Sequence, residues 1–304
     1  MRLPALHRRS ELLARGFTDD ELRRLRRTGR ATAVRPGAYL PGAPPDSDLV
    51  QHALAATAVW PALAGDAVFS HVTAAVLYGL PVWRLGLGRV HVTRPRRNGG
   101  RARRAVHVHA APLRPDEVST AAGLPVTCPA RFVVDLARTV PFEAAVAVAD
   151  AALNQELVTP DELAAAVLRA GRWPGVPAAR RVLEFADGRS ESVGESRSRV
   201  AIQRAGLPAP VPQWEVTDHR GRPLGRVDFG WPRLRTVGEF DGMVKYGRLL
   251  RPGQSATDVL VEEKRREDAI RATGLAVVRW TWDELASFTD TADTLRQRFC
   301  PHEP

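Results

Sequence analysis

Thiols are scarce in this chain. Its 304 residues include two cysteines, Cys128 and Cys300, too few and too far apart for a disulfide framework or a cysteine-rich zinc cluster. Long apolar runs are missing as well. No stretch approaches the roughly 20 apolar residues that a membrane helix needs, and the opening MRLPALHRRSELLARG carries no apolar run followed by a small-residue cleavage site. A cytoplasmic protein with no membrane partner is expected. Lysine is the third scarcity: of 44 basic residues only Lys245 and Lys264 are lysines, and the rest are arginine. Where charge alone is needed this sequence writes arginine, so the two lysines mark places where a compact, rotatable ammonium would matter. Hydrophobic residues at 44% and charged residues at 26% exclude wholesale disorder and collagen-like structure. The length points to two or three domains.

Charge is unevenly spread. Residues 1–110 hold 18 arginines against 7 acidic residues, so the net charge of +10 arises entirely in the first third. Such asymmetry directs that end toward a polyanion, with double-stranded DNA the expected partner. Local signals there predict a helix over about His7–Arg15 closed by Gly16, then a capping-box pattern at Thr18 and Glu21 opening a second helix to about Thr28. Leu22 and Leu25 form its apolar stripe, and Arg23, Arg24, Arg26, Arg27 and Arg30 cover the remainder. A short hairpin is expected from Ala31–Val34 and Ala38–Leu40 around Arg35-Pro36-Gly37. Two helices followed by a hairpin describe a winged helix-turn-helix over residues 1–42, able to enter the major groove while arginines hold phosphates.

Pro41–Pro45 reads as a linker into a mixed α/β middle domain spanning 43–188. An alanine-rich helix is expected at about Leu49–Leu63. Arg89–Thr93 and Ala105–His109 alternate like paired strands joined by the basic turn Arg94–Arg104, where Arg96 and Arg97 suit phosphate contact. His91, His107 and His109 lie on these strands, and His107 shares a face with His109. No cysteine or acid lies near to complete a metal site, so these are read as exposed strand positions. Helices at about Pro129–Arg138, Pro141–Asn154, Thr159–Ala170 and Val176–Phe185 complete the region.

Residues 189–304 have the order α-β-β-β-α-β followed by helices, a compact α/β unit with a mixed sheet. Asp228 ends one strand, Glu239 and Asp241 share a face of the next, and Glu195 sits in the first turn of the preceding helix. Clustered carboxylates repel unless a cation neutralises them, and oxygen-only ligands suit Mg²⁺ or Mn²⁺. Such a metal activates water and stabilises charge at a scissile phosphate. Lys245 and Lys264, which flank this segment, are the candidates to orient or deprotonate that water. Each acid also has a plainer reading. Glu195 follows Ser192 by three as in a capping box, Asp241-Gly242 is a strand-ending turn, and Asp228 has arginines nearby to pair with.

These residues carry a resemblance. Glu195-Ser196-Arg197-Ser198-Arg199, Arg226-Val227-Asp228-Phe229, Glu239-Phe240-Asp241-Gly242 and Glu263-Lys264-Arg265-Arg266-Glu267-Asp268, ending in Val277-Val278-Arg279-Trp280, resemble a restriction-endonuclease-like domain related to the very short patch repair endonucleases. The resemblance implies Asp228 and Glu239 as metal ligands, Glu195 as the third carboxylate and Mg²⁺-dependent phosphodiester hydrolysis, by an endonuclease or nickase. The usual signature of that superfamily places a lysine where this chain has Asp241. Leu12-Leu13-Ala14-Arg15-Gly16-Phe17, Arg35-Pro36-Gly37-Ala38-Tyr39, Ser70-His71-Val72-Thr73-Ala74-Ala75 and Gly123-Leu124-Pro125-Val126-Thr127 resemble AbiEi-type antitoxins to about residue 155. That resemblance implies operator binding, autorepression and a toxin partner encoded nearby. Two expectations follow from the pair of resemblances: a metal-dependent DNA endonuclease, or a repressor or antitoxin whose nuclease-like domain is inert.

Overall fold

A computed structural model describes residues 3–63, 65–96, 99–102, 105–242 and 256–299, with backbone only over 256–263. Lys245, Arg97, Arg103 and Arg104 lie outside the described residues. Three sheets and twelve α-helices among these residues make a mixed α+β multidomain chain, divided into two units, Met1–Ala186 and Asp187–Pro304.

The first unit begins with strand β1 (His7–Arg8), helices α1 (Arg9–Ala14) and α2 (Asp19–Arg27), and strands β2 (Ala31–Arg35) and β3 (Ala38–Pro41). The sheet order is β1-β3-β2. His7 and Arg8 pair with Tyr39 and Ala38, which is why the first helix starts at Arg9 rather than His7. The predicted capping box forms: the Glu21 amide donates to Thr18 Oγ1 at 3.3 Å, and the Thr18 amide to Glu21 Oε2 at 2.8 Å. Leu22, Ala38 and Leu40 are buried and make the small core beneath α2.

The same unit continues through α3 (Asp48–Val59), β4 (Val68–Phe69), α4 (His71–Leu77), β5 (Val90–Arg94), β6 (Arg101–Ala102), β7 (Val106–Ala110), β8 (Val118–Ala121) and β9 (Leu124–Thr127). Helices α5 (Pro129–Thr139), α6 (Phe142–Asn154), α7 (Pro160–Ala170) and α8 (Val176–Phe185) follow, close to the predicted bounds. The sheet runs β6-β7-β5-β4-β9-β8. β5 and β7 pair in parallel, with His91 opposite His107 and Thr93 opposite His109, while β6 lies antiparallel on the far side of β7. The basic segment between them is therefore a crossover through an edge strand, not the simple turn expected. Phe69, Val92, Val126, Phe132 and Leu136 fill the core. A buried ion cluster lies there: Arg131, 3% exposed, donates to Asp135 at 2.8 Å and Glu117 at 2.9 Å, both buried too.

The second unit contains α9 (Val193–Arg204), β10 (Val211–Thr217), β11 (Pro223–Trp231), β12 (Thr236–Asp241), α10 (Ala256–Ala272), β13 (Ala276–Thr281), α11 (Trp282–Ala286) and α12 (Thr289–Phe299). Its sheet is ordered β10-β11-β12-β13, antiparallel except for the parallel β12–β13 pair. Phe229, Trp231, Phe240 and Trp280 pack with Ile202 of α9 and Leu295 of α12, whereas Val216, Val227 and Val237 pack with Ile270 of α10. Gly194 permits the close approach of α9: a Cβ there would stand 1.9 Å from the Phe240 ring. That contact sets Glu195 beside the sheet.

Candidate functional site

Two places gather the expected functional side chains. In the first unit, Arg23, Arg24, Arg26, Arg27 and Arg30 are all exposed. The acids Asp19, Asp20 and Glu21 occupy the first turn of α2 and Arg24, Arg26 and Arg27 the last, the polarity that the helix dipole favours. Arg9 braces the arrangement by pairing with Asp19, and Arg23 pairs with Asp20. The guanidiniums thus sit at the C-terminal half of the helix. Arg35 is half-buried on β2 and Arg96 is exposed beside Asp66, 3.4 Å away.

In the second unit a row of polar side chains crosses the sheet. Phe229 pairs with Gly238, and one step along that register Asp228 lies opposite Glu239. Glu239 in turn pairs with Arg279 on β13. Gln213 stands between Pro212, paired with Phe229, and Trp214, paired with Val227, and so faces Asp228 from β10. Asp228 lies inside β11, not at its end, and its Oδ2 accepts the Phe240 amide at 2.8 Å.

Partners already surround the acids. Arg266 of α10 donates to Glu239 Oε1 at 2.9 Å, and Arg279 lies 3.0 Å from Oε2. Arg279 also meets Glu267 at 2.7 Å. Burial pushes the Glu239 carboxyl above its ordinary value, the two guanidiniums pull it back, and Asp228 adds to the rise. Glu195 accepts from the Ser192 hydroxyl at 2.7 Å, the Glu191 amide at 2.9 Å and the Gln213 side chain at 2.7 Å. Lys264 is exposed on α10, and the cation that reaches Glu239 from that helix is Arg266.

The expected gathering of Glu195, Asp228, Glu239 and Asp241 around one ion is not what this arrangement provides. Among the described residues, the group of three or more His, Cys, Asp or Glu whose ligand atoms come within 4.8 Å of one another is His71, His91 and His109, in the other unit. The physical reason lies in the arginines and the helix start. A hard cation such as Mg²⁺ needs free carboxylate oxygens, and both oxygens of Glu239 face guanidiniums while Glu195 serves its own helix start. The residues present do not fit the ion.

Comparison with known proteins places the chain. Residues 66–185 match the family model for the AbiEi antitoxin C-terminal domain. The chain is 30% identical over 227 residues to the uncharacterized protein MT2308 of Mycobacterium tuberculosis (strain CDC 1551 / Oshkosh), covering 70% of this chain and 82% of that protein. The same figures hold for the uncharacterized protein Rv2248 of Mycobacterium tuberculosis (strain ATCC 25618 / H37Rv). The chain belongs to their family. A solved structure, that of the RV2827C protein from Mycobacterium tuberculosis, is similar at 18% identity and a TM-score of 0.41 over 64% of this chain and 75% of its own. The AbiEi-type domain covers the six-stranded sheet from β4 onward and helices α4–α8, extending beyond the stretch to about 155 on which the resemblance was read. No helix among the described residues is long and apolar enough to cross a membrane.

The histidines of that domain were misjudged from sequence. His91 and His109 are half-buried rather than exposed, and His71, the first residue of α4, joins them. The alternation of His107 and His109 was legible. The arrival of His71 and His91 depends on strand neighbours that sequence spacing does not give.

Proposed function

We propose that this chain is a DNA-binding regulator of the antitoxin kind. In this reading a basic winged helix at 1–42 and the middle domain at 43–188 hold duplex DNA. The 189–304 part is a restriction-endonuclease-like fold that adds a contact surface without hydrolysing the backbone. The observation that supports it most is the state of Glu239, whose two oxygens face Arg266 and Arg279. Asp241, in place of the superfamily's lysine, points the same way, as does the AbiEi antitoxin family match. A toxin encoded nearby is the second expected partner.

Duplex binding of this kind is dominated by phosphate neutralisation and is therefore steeply salt-dependent. Footprinting on the chain's own promoter should give a protected, salt-sensitive site. Replacing Arg23, Arg24, Arg26 and Arg27 by Ala should abolish it, and the slope of log affinity against log salt should fall by roughly 0.9 per phosphate contact removed. Unchanged protection rejects the winged-helix assignment. In a plasmid-nicking assay with Mg²⁺ or Mn²⁺, wild type, Asp228→Ala and Glu239→Ala should give the same background. Metal-dependent nicking by wild type, lost in both variants, would restore the endonuclease reading.

A further inference from the structure

Five of the eight histidines, His52, His71, His91, His107 and His109, fall in the AbiEi-type domain or against it. Three adjacent strands bring them together. His71 opens α4 two residues past the end of β4, whose last residue Phe69 pairs with Val92 of β5, and the Ser70 amide donates to the His91 carbonyl at 3.1 Å. His91 lies on β5, and His109 lies on β7 beside it. His109 Nε2 and His91 Nδ1 are 3.1 Å apart. The His71 and His109 rings stack at 3.6 Å between centroids and His107 stacks on His109 at 4.1 Å; stacked rings hold their lone pairs in parallel planes, so one ring must turn about its side-chain bonds before both can address one ion.

The geometry points to a binding site for a late first-row divalent cation, Zn²⁺ above all, with His71, His91 and His109 as its three protein ligands and a fourth position open to water. Ligands of a tetrahedral zinc ion, each about 2.0–2.1 Å from the metal, stand roughly 3.3 Å from one another, and the His91–His109 separation is close to that. Imidazole donors favour Zn²⁺, Cu²⁺ or Ni²⁺ over the oxygen-loving Mg²⁺ and Ca²⁺.

Three features of the surroundings support the assignment. The first is outer-sphere orientation, which metal-bound histidines require. Ser70 Oγ lies 3.0 Å from His71 Nδ1 and also accepts from Thr93. With Nδ1–H donated to that hydroxyl, His71 keeps the Nε2 lone pair for a ligand. From α4, Thr73 Oγ1 accepts the His91 amide at 2.8 Å and lies 2.8 Å from His52 Nε2, which fixes the position of β5. The second is strain: His71 adopts φ 52°, a left-handed conformation unfavourable for a residue with a side chain and of the sort that clusters at ligand sites. The third is protonation. Burial, followed by mutual repulsion among the rings, holds His91 down to about 4, His109 to about 2 and His71 well below the ordinary histidine value. Neutral imidazole is the ligating form. The guanidiniums of Arg131 and Arg138, which act on His71, are themselves bound by Asp135, and Arg131 also by Glu117.

The test is a Zn²⁺ titration of the full chain, stripped with a chelator and read against a chromophoric competitor at neutral pH. One equivalent per chain is expected. His91→Ala and His109→Ala, both at half-buried positions, should each weaken binding at least tenfold while keeping the wild-type circular dichroism spectrum. Absence of stoichiometric binding, or undiminished binding in folded variants, overturns the site. Should the variants fail to fold, Co²⁺ substitution in the wild type decides. Visible d–d bands of a four- or five-coordinate ion without thiolate charge transfer support the histidine ligands, whereas no bands, or charge transfer from cysteine, refutes them.

Discussion

The two polar clusters, one in each unit, invert what their residue types suggest. Glu195, Asp228, Glu239 and Asp241 are the conventional ingredients of a metal centre, yet Glu239 and Glu195 are engaged by guanidiniums, a helix start and an amide. The histidines carry no acid within their triad, yet three ligand atoms converge within 4.8 Å. A binding site is defined by lone pairs without partners, not by the presence of ligating residues. Charge settles the contrast: an arginine-rich sequence satisfies its carboxylates with guanidiniums, whereas imidazoles that burial keeps neutral meet one another and Ser70, so that their ring nitrogens converge.

The comparison can be broken most forcefully at Arg131, the buried cation nearest the histidines. Arg131→Ala leaves Glu117 without its guanidinium and Asp135 with Arg138 alone, and should destabilise the first unit by about 3–5 kcal/mol in urea unfolding. A loss below about 1 kcal/mol would mean that those acids do not depend on it. Next in size is the metal itself. Zn²⁺ at 100-fold above its dissociation constant should stabilise the first unit by about 2.7 kcal/mol, and by no more than about 1.4 kcal/mol in His91→Ala at the same concentration. Mg²⁺ at any concentration should leave the second unit's transition unmoved.

Gly194→Ala probes the other side of the contrast. Its new Cβ would collide with the Phe240 ring, and overpacking of this kind costs about 1–3 kcal/mol, measurable as a lowered midpoint for the second unit. The smallest effect is a pH dependence. Glu239 titrates above its ordinary value in the folded chain because of burial. Between the unfolded and the folded value the native state holds more protons, so its contribution favours folding at low pH and is lost as pH rises. Glu239→Gln should remove that component. The difference between variant and wild-type stability should therefore change across this window and stay flat above it.

Much of the framework was legible in the sequence. The capping box at Thr18 forms as its spacing predicts, because it is a local exchange of two hydrogen bonds. The α-β-β-β-α-β order of the second unit was equally plain. The β8–β9 hairpin was not: Val118–Ala121 alternates weakly, and its turn uses Ala122 at φ 50° ahead of Gly123. The parallel pairing of β5 with β7 was hidden because β6 has only two residues. Both clusters are assembled at long range. Arg266 and Arg279 reach Glu239 from 27 and 40 positions away, and the histidine triad spans 71 to 109, so only strand order reveals either.

That two-residue β6 also limits how the protein can be approached. It forms one margin of the six-stranded sheet and presents exposed Arg101. A border so brief and charged offers an incoming chain few backbone groups to zip onto. Among the described residues this border gives a partner little backbone to pair with, so recognition on this side of the domain rests on side chains.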